Sequence, residues 1–319
     1  MKDLLHAHRH TAGERVDRVL ETSERGIRAV KISLLGLGAT ALLQLVVLLS
    51  TNSVALLSDT LHNLGDALTA VPLWLAFSFG RRPPNRRYTH GYGRAEDIAG
   101  IVIVVTIALS AVIAGYESFT RLIDPQDVER LPLVALAAVI GFAGNEGVAL
   151  YRIRVGRAIG SAALVADGLH ARTDGFTSLA VLAGSLGVAA GYEIADPIAG
   201  GVITLAIVLV LRNAARDVYY RLMDAVDPEL VDRIEEVLAG VDGIKGIDGV
   251  RVRWIGHQLR AEVDVTIDGA LSVVDAHNIA EHAHHALLHE IPRLGSAIVH
   301  TNPSGEEHGI TAHHFGPNR

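Results

Sequence analysis

Two short stretches carry the residue types from which a metal site can be built: Asp59-Thr-Leu-His62-Asn-Leu-Gly-Asp66 and Asp167-Gly-Leu-His170-Ala-Arg-Thr-Asp174. In each, a histidine and an aspartate stand four residues apart. On an α-helix that spacing stacks imidazole and carboxylate on one face, so each stretch projects one nitrogen and one oxygen donor toward the same point. Two such helices face to face supply four donors, His62, Asp66, His170 and Asp174. That set suits tetrahedral zinc, with metal to ligand distances of roughly 2.0–2.2 Å. Asp59 and Asp167, three residues before each histidine, either hold the imidazole tautomer from behind or serve as hydrogen-bonding groups near a helix start.

Both stretches fall inside apolar runs of membrane-crossing length. Ile32 to Ser58 and Ile98 to Tyr116 contain no charged residue or histidine, and each can cross a hydrocarbon core of about 30 Å at about 1.5 Å per residue. Val54 to Phe79, Leu131 to Tyr151, Ala158 to Leu186 and Pro197 to Leu211 are apolar at similar length, and polar residues interrupt three of them. Six spans are predicted. Arginine and lysine cluster before span one (Arg15, Arg18, Arg25, Arg28, Lys31), after span two (Arg81, Arg82, Arg86, Arg87), after span four (Arg152, Arg154, Arg157) and after span six (Arg212, Arg216, Arg221). The remaining connections carry few, which by the positive-inside rule puts both termini in the cytoplasm of a multi-pass protein of the cell membrane. His62 and His170 then lie at a common depth, roughly 12 Å from the outer boundary. Ionisable groups at such depth are costly and mark function. The competing reading is a set of polar residues that satisfy one another or line a water cavity.

Beyond about Met223 the composition becomes that of a soluble domain. Pro228 to Leu238 reads as an amphipathic helix, and Gln258 to Asp268 alternates with Leu259, Ala261, Val263, Val265 and Ile267 on one face. A second helix from Ser272 to Glu290 and an apolar stretch from Ala297 to Val299 complete an αββαβ unit. The predicted organisation is a cytoplasmic segment over 1–30, a six-helix all-α transmembrane domain over 31–218, a cytoplasmic α+β domain over 219–303 and a histidine-containing tail over 304–319.

Composition narrows the chemistry. The chain of 319 residues is 50% hydrophobic, has a mean hydropathy of +0.32 and contains no cysteine, so thiolate sites and disulfides are excluded and any metal needs histidine and carboxylate. The net charge of −7 and the scattered basic clusters make nucleic acid an unexpected partner. The N-terminus lacks an apolar core with a small-residue cleavage site, so no cleaved signal peptide is expected.

At the paired motifs the chain resembles the cation diffusion facilitator family. Gly-Arg-Ala-Glu at 93 to 96, Asp196-Pro197 at span six, and the C-terminal elements around His277 and His300 add to the resemblance, which runs over nearly the whole chain. It implies a homodimer, six transmembrane helices, a ferredoxin-like cytoplasmic domain, and efflux of a metal, here zinc, in exchange for protons. In the family, two histidines often form an accessory site after span two. Tyr88 and Tyr92 occupy those places here, and the nearby His90 reads as a solvated side chain. In the cytoplasmic domain the resemblance matches His277 and His300 to zinc ligands, with Asp264 in place of a strand histidine and Asn302 in place of an aspartate. Read alone, those histidines could be ordinary surface residues. The histidines at 6, 8 and 10 and at 308, 313 and 314 either collect metal or are solvated, and His282, His284, His285 and His289 scatter around one helix. Arg172, two residues after His170, points away from the metal face, with Glu146 one candidate partner.

Three other functions compete with this reading. An enzyme is disfavoured because H-E-x-x-H is absent and four protein ligands leave no open position for water; an ATP-driven pump lacks its phosphate-binding loop. A membrane metal sensor that binds zinc without moving it remains the alternative to the transporter.

Overall fold

The structure is a computed structural model that describes residues 4–51, 70–123, 131–192 and 194–304. It divides into two compact units, Met1–Tyr219 and Tyr220–Arg319.

The first unit is all helix: α1 (Leu4–Thr51), α2 (Ala70–Gly80), α3 (Arg94–Ile123), α4 (Leu131–Ile159), α5 (Ala162–Ala189) and α6 (Ala195–Leu222). Among the described residues four stretches are long and apolar enough to cross a membrane: Glu21–Val46, Arg94–Thr120, Pro132–Ile159 and Pro197–Leu222. α5 is not among them because Asp167, His170, Arg172 and Asp174 interrupt it, and the predicted second span is described only from Ala70 onward. The surfaces of α3 and α6 are apolar outward as well as inward: Val105, Leu109, Val112 and Ile113, and likewise Val202, Leu205 and Leu209, are exposed. Such a band suits hydrocarbon as the solvent, where helices satisfy their own backbone. Inward, Leu73 and Phe77 of α2, Ile103 and Ile107 of α3, Leu164 of α5 and Ile207 of α6 share one buried cluster.

α4 and α5 form a tight antiparallel hairpin. Gly160 turns the chain at φ +78°, a left-handed conformation that costs glycine little, and Ser161 caps α5 by accepting from the Leu164 N–H at 3.1 Å. Such a cap is worth about 1 kcal/mol. α4 runs eight residues past the predicted end of span four, so Arg152, Arg154 and Arg157 belong to the helix itself. Arg152 is the clearest correction: it is not a solvated interfacial charge but is 1% exposed. α1 packs on α4 where Gly144 faces Thr40, and buried Gln44 Nε2 donates to the Ala137 carbonyl at 3.3 Å.

The second unit contains α7 (Pro228–Ala239), β1 (Gly246–Ile255), β2 (Gln258–Asp268), α8 (Val273–Glu290) and β3 (Leu294–Ser304), the predicted αββαβ order. The sheet order is β1-β2-β3, with β2 antiparallel to β1 and parallel to β3. Gly256 at φ +61° opens the two-residue β1–β2 turn. Alternation along β2 buries Leu259, Ala261, Val263, Val265 and Ile267 against Ile234 and Leu238 of α7 and Ala283 and Leu287 of α8. Asp227 and Ser272 cap the two helices.

Candidate metal centre

α5 places His170 and Asp174 one turn apart on its inner face. Both are buried, at 1% and 4% exposure, and the imidazole Nδ1 lies 3.6 Å from the Asp174 carboxylate. The neighbouring hydroxyls are turned back on the helix's own carbonyls: Thr173 donates to His170 O at 2.7 Å and Thr177 to Thr173 O at 2.9 Å. The imidazole and carboxylate are therefore the groups α5 offers for coordination at this level.

Their proposed counterparts, His62 and Asp66, lie outside the described residues, as does Asp59. Among the described residues no group of three or more histidine, aspartate or glutamate side chains is gathered as a metal cage. Of the four donors expected from the sequence, the described residues show the two on α5, one nitrogen and one oxygen.

Asp167 sits on the same face, one turn before His170. Its carboxylate goes to α4 rather than to the imidazole: Arg152 Nη1 lies 2.9 Å from Asp167 Oδ2, with the side chains 1% and 0% exposed. Neither carboxylate oxygen has a hydrogen bond among the described residues, so the pair is a charge contact rather than an aligned hydrogen bond. Arg152 was missed in the sequence because a charge at the end of an apolar run reads as interfacial. The signal available was the hairpin itself, since residues equidistant from a turn near 160 meet across it. The same pairing unites Arg172 with Glu146, whose carboxylate accepts from Nη2 at 2.8 Å and from Nε at 3.0 Å, which identifies the partner of Arg172.

The other candidate positions are less concentrated. His90 is exposed in the loop after α2, where Tyr88 and Tyr92 pack at 4.7 Å between ring centroids and Asn85 Nδ2 donates to the Tyr92 hydroxyl at 2.7 Å. In the second unit, Asp264 and His300 are register neighbours on β2 and β3, on the sheet face opposite the helices. His277 is exposed in the second turn of α8, which covers the other face, so the structure does not bring Asp264, His277 and His300 into one group. Asp264 instead lies 3.6 Å from Arg251, and Asn302 donates to Asp248 at 3.0 Å. Asp248 is the extra residue of a bulge in β1, and Thr266 also donates to it, at 2.8 Å. The side chains of the histidines at 6, 8 and 10, and the whole of those at 308, 313 and 314, lie outside the described residues.

Residues 30–223 match the family model described as the cation efflux transmembrane domain, and residues 226–304 that of the cation efflux protein cytoplasmic domain. The chain is 56% identical over 309 residues to the "Probable cation efflux system protein Rv2025c" of Mycobacterium tuberculosis, covering 97% of this chain and 92% of that protein. It is 25% identical over 296 residues to the manganese efflux system protein MneP of Bacillus subtilis, covering 89% of this chain and 99% of that one. Among solved structures, the nickel form of a MamM C-terminal domain is 26% identical, with a TM-score of 0.24, covering 25% of this chain and 100% of that chain.

Proposed function

The chain belongs to the cation diffusion facilitator family of cation efflux proteins, and from that premise we propose that it exports zinc from the cytoplasm in exchange for protons. His62 and Asp66 with His170 and Asp174 form the tetrahedral transport site. The observation that carries the reading is the α5 half-site, an imidazole and a carboxylate one turn apart and almost fully buried on a helix inside the region that matches the transmembrane-domain model. Burying such groups in a bilayer is expensive, and a cation that both of them coordinate offsets the cost. Nitrogen in the donor set favours zinc over manganese, which prefers oxygen.

The rest of the reading follows the topology. Both termini face the cytoplasm of the cell membrane, the working unit is a homodimer, and transport is a carrier cycle with no catalytic step. Asp264, His277 and His300 form a regulatory zinc site of the cytoplasmic domain, whose three donors converge only if that domain rearranges or pairs.

Flux into proteoliposomes tests the function, with zinc, cadmium, manganese, iron and cobalt in competition. Zinc accumulation above the leak, with zinc outcompeting manganese, is the expected result. Binding of zinc without accumulation would instead identify a membrane metal sensor.

A further inference from the structure

The α5 motif presents three donors on one face, not two. Asp167, His170 and Asp174 are spaced by three and four residues, so in a straight helix all three point the same way. A third α5 donor would add a second carboxylate to the half-site of His170 and Asp174. More oxygen and a higher donor count suit a hard octahedral ion such as manganese, whereas zinc prefers four donors. Something must withdraw Asp167 if α5 is to give the site one nitrogen and one oxygen only.

Arg152 is placed to do so. Its guanidinium lies 2.9 Å from Asp167 Oδ2, and both side chains are sealed from solvent at 1% and 0% exposure. A lone arginine at such a position is strongly disfavoured, and removing one member of a buried pair leaves an uncompensated charge. The backbone is built for the approach. A Cβ on Gly168 would stand 3.0 Å from Arg152 Cβ and 2.8 Å from Ile153 Cγ1, so only glycine lets α5 come this near to α4. The grip is a single contact through Nη1, since Nε and Nη2 of Arg152 have no hydrogen-bond partner among the described residues. Charge, not a fork of aligned hydrogen bonds, is what draws the carboxylate aside.

We propose that Arg152 is a positioning residue that sets metal preference by holding the Asp167 carboxylate out of the coordination shell of His170 and Asp174. The inference rests on the reading of His170 and Asp174 as transport ligands. Without Arg152, Asp167 is one helical turn from the imidazole and free to join the shell, which then gains a hard oxygen and a negative charge.

The test measures zinc and manganese flux, separately and in competition, in proteoliposomes of the full chain carrying Arg152→Gln, Asp167→Asn or both. Groups that orient metal ligands typically change affinity by about 10- to 100-fold. The ratio of zinc to manganese flux should therefore fall about tenfold or more in Arg152→Gln, and adding Asp167→Asn should restore it by removing the competing carboxylate. An unchanged ratio in Arg152→Gln overturns the proposal, as does a fallen ratio that Asp167→Asn does not restore. Should Arg152→Gln fail to assemble, Arg152→Met is read in the same way, and failure of both to assemble assigns the pair a purely structural role and also overturns it. His170→Ala runs alongside: retained flux in that variant would sink the transport site itself, whereas its loss together with an unchanged ratio in the Arg152 variants sinks only the role of Arg152.

Discussion

Arg172 closes a two-point fork on Glu146, with Nη2 2.8 Å from Oε1 and Nε 3.0 Å from Oε2. Together with Arg152 and Asp167, this pair brackets His170 along the α4–α5 hairpin, one ion pair on either side of the imidazole. Two charge contacts at fixed positions leave the hairpin one register, and that register sets the height and rotation at which α5 presents its ligands.

Glu146→Ala should lower stability by about 2 kcal/mol. Breaking a fully buried pair costs about 3–5 kcal/mol, but these side chains are 23% and 27% exposed, so the left-over arginine is partly hydrated. The double variant Glu146→Gln with Arg172→Gln removes both charges and should lose less than Glu146→Ala alone. Thermal unfolding in detergent of the wild type, Glu146→Gln, Arg172→Gln and the double variant, alongside Glu146→Ala, gives the comparison, and an additive result would deny the coupling.

Asp174→Ala should abolish zinc flux while membrane insertion and oligomeric state are kept. The carboxylate is buried beside His170, with Oδ2 3.6 Å from the imidazole Nδ1. Flux at wild-type rate from a correctly assembled Asp174→Ala protein would remove α5 from the site.

The double variant His277→Ala with His300→Ala should retain transport but respond less to zinc on the cytoplasmic side. Both residues are exposed in the second unit, His277 on the helix that covers one face of the sheet and His300 on the opposite face. Complete loss of flux with assembly intact would show that the second unit takes part in the transport step.

Lys245→Met should raise the pKa of Asp268. A hydrogen bond from Lys245 Nζ at 2.8 Å, with a second from the Ala270 N–H at 2.9 Å, holds that carboxyl below its ordinary value. A carboxyl whose folded pKa is depressed adds stability that is present above its unfolded pKa and lost as pH falls through the folded one. The contribution therefore disappears on the acid side only, and Lys245→Met should diminish it. The pH titration of the Asp268 carboxyl resonance checks the shift, and an unmoved midpoint would show that the backbone donor alone sets it.

Much of this architecture is legible in local pattern. β2 runs from Gln258 to Asp268 as alternation predicts, and α8 runs from Val273 to Glu290 within the expected Ser272 to Glu290, because both signals are local. What sequence conceals is pairing. Arg152 reads as an interfacial charge until α5 supplies Asp167, and the sequence does not show that β1 brings Arg251 to 3.6 Å from Asp264. Nor does motif spacing reveal that α8 covers the sheet face away from His300, so that within one chain His277 and His300 stand apart. Within the membrane unit the α5 half of the repeated motif is borne on a helix at the expected spacing, while His62 and Asp66 lie outside the described residues.

The last prediction links coordination to the driving force. Imidazole must give up its proton to bind zinc, so metal and protons compete for His170 and for the proposed partner His62. On the proposed exchange, zinc loads best on the less acidic side, and a more acidic exterior protonates the imidazoles, helped by Asp66 and Asp174, so that the metal leaves and protons are carried inward on the reset. His170 and Asp174 are buried at 1% and 4% exposure. In inside-out vesicles, where the former exterior is the lumen, acidifying the lumen should accelerate zinc accumulation. Zinc uptake should in turn alkalinise the lumen, and His170→Ala should suppress both signals together. Zinc uptake that ignores the pH gradient and moves no protons would leave the metal site in place and refute the exchange.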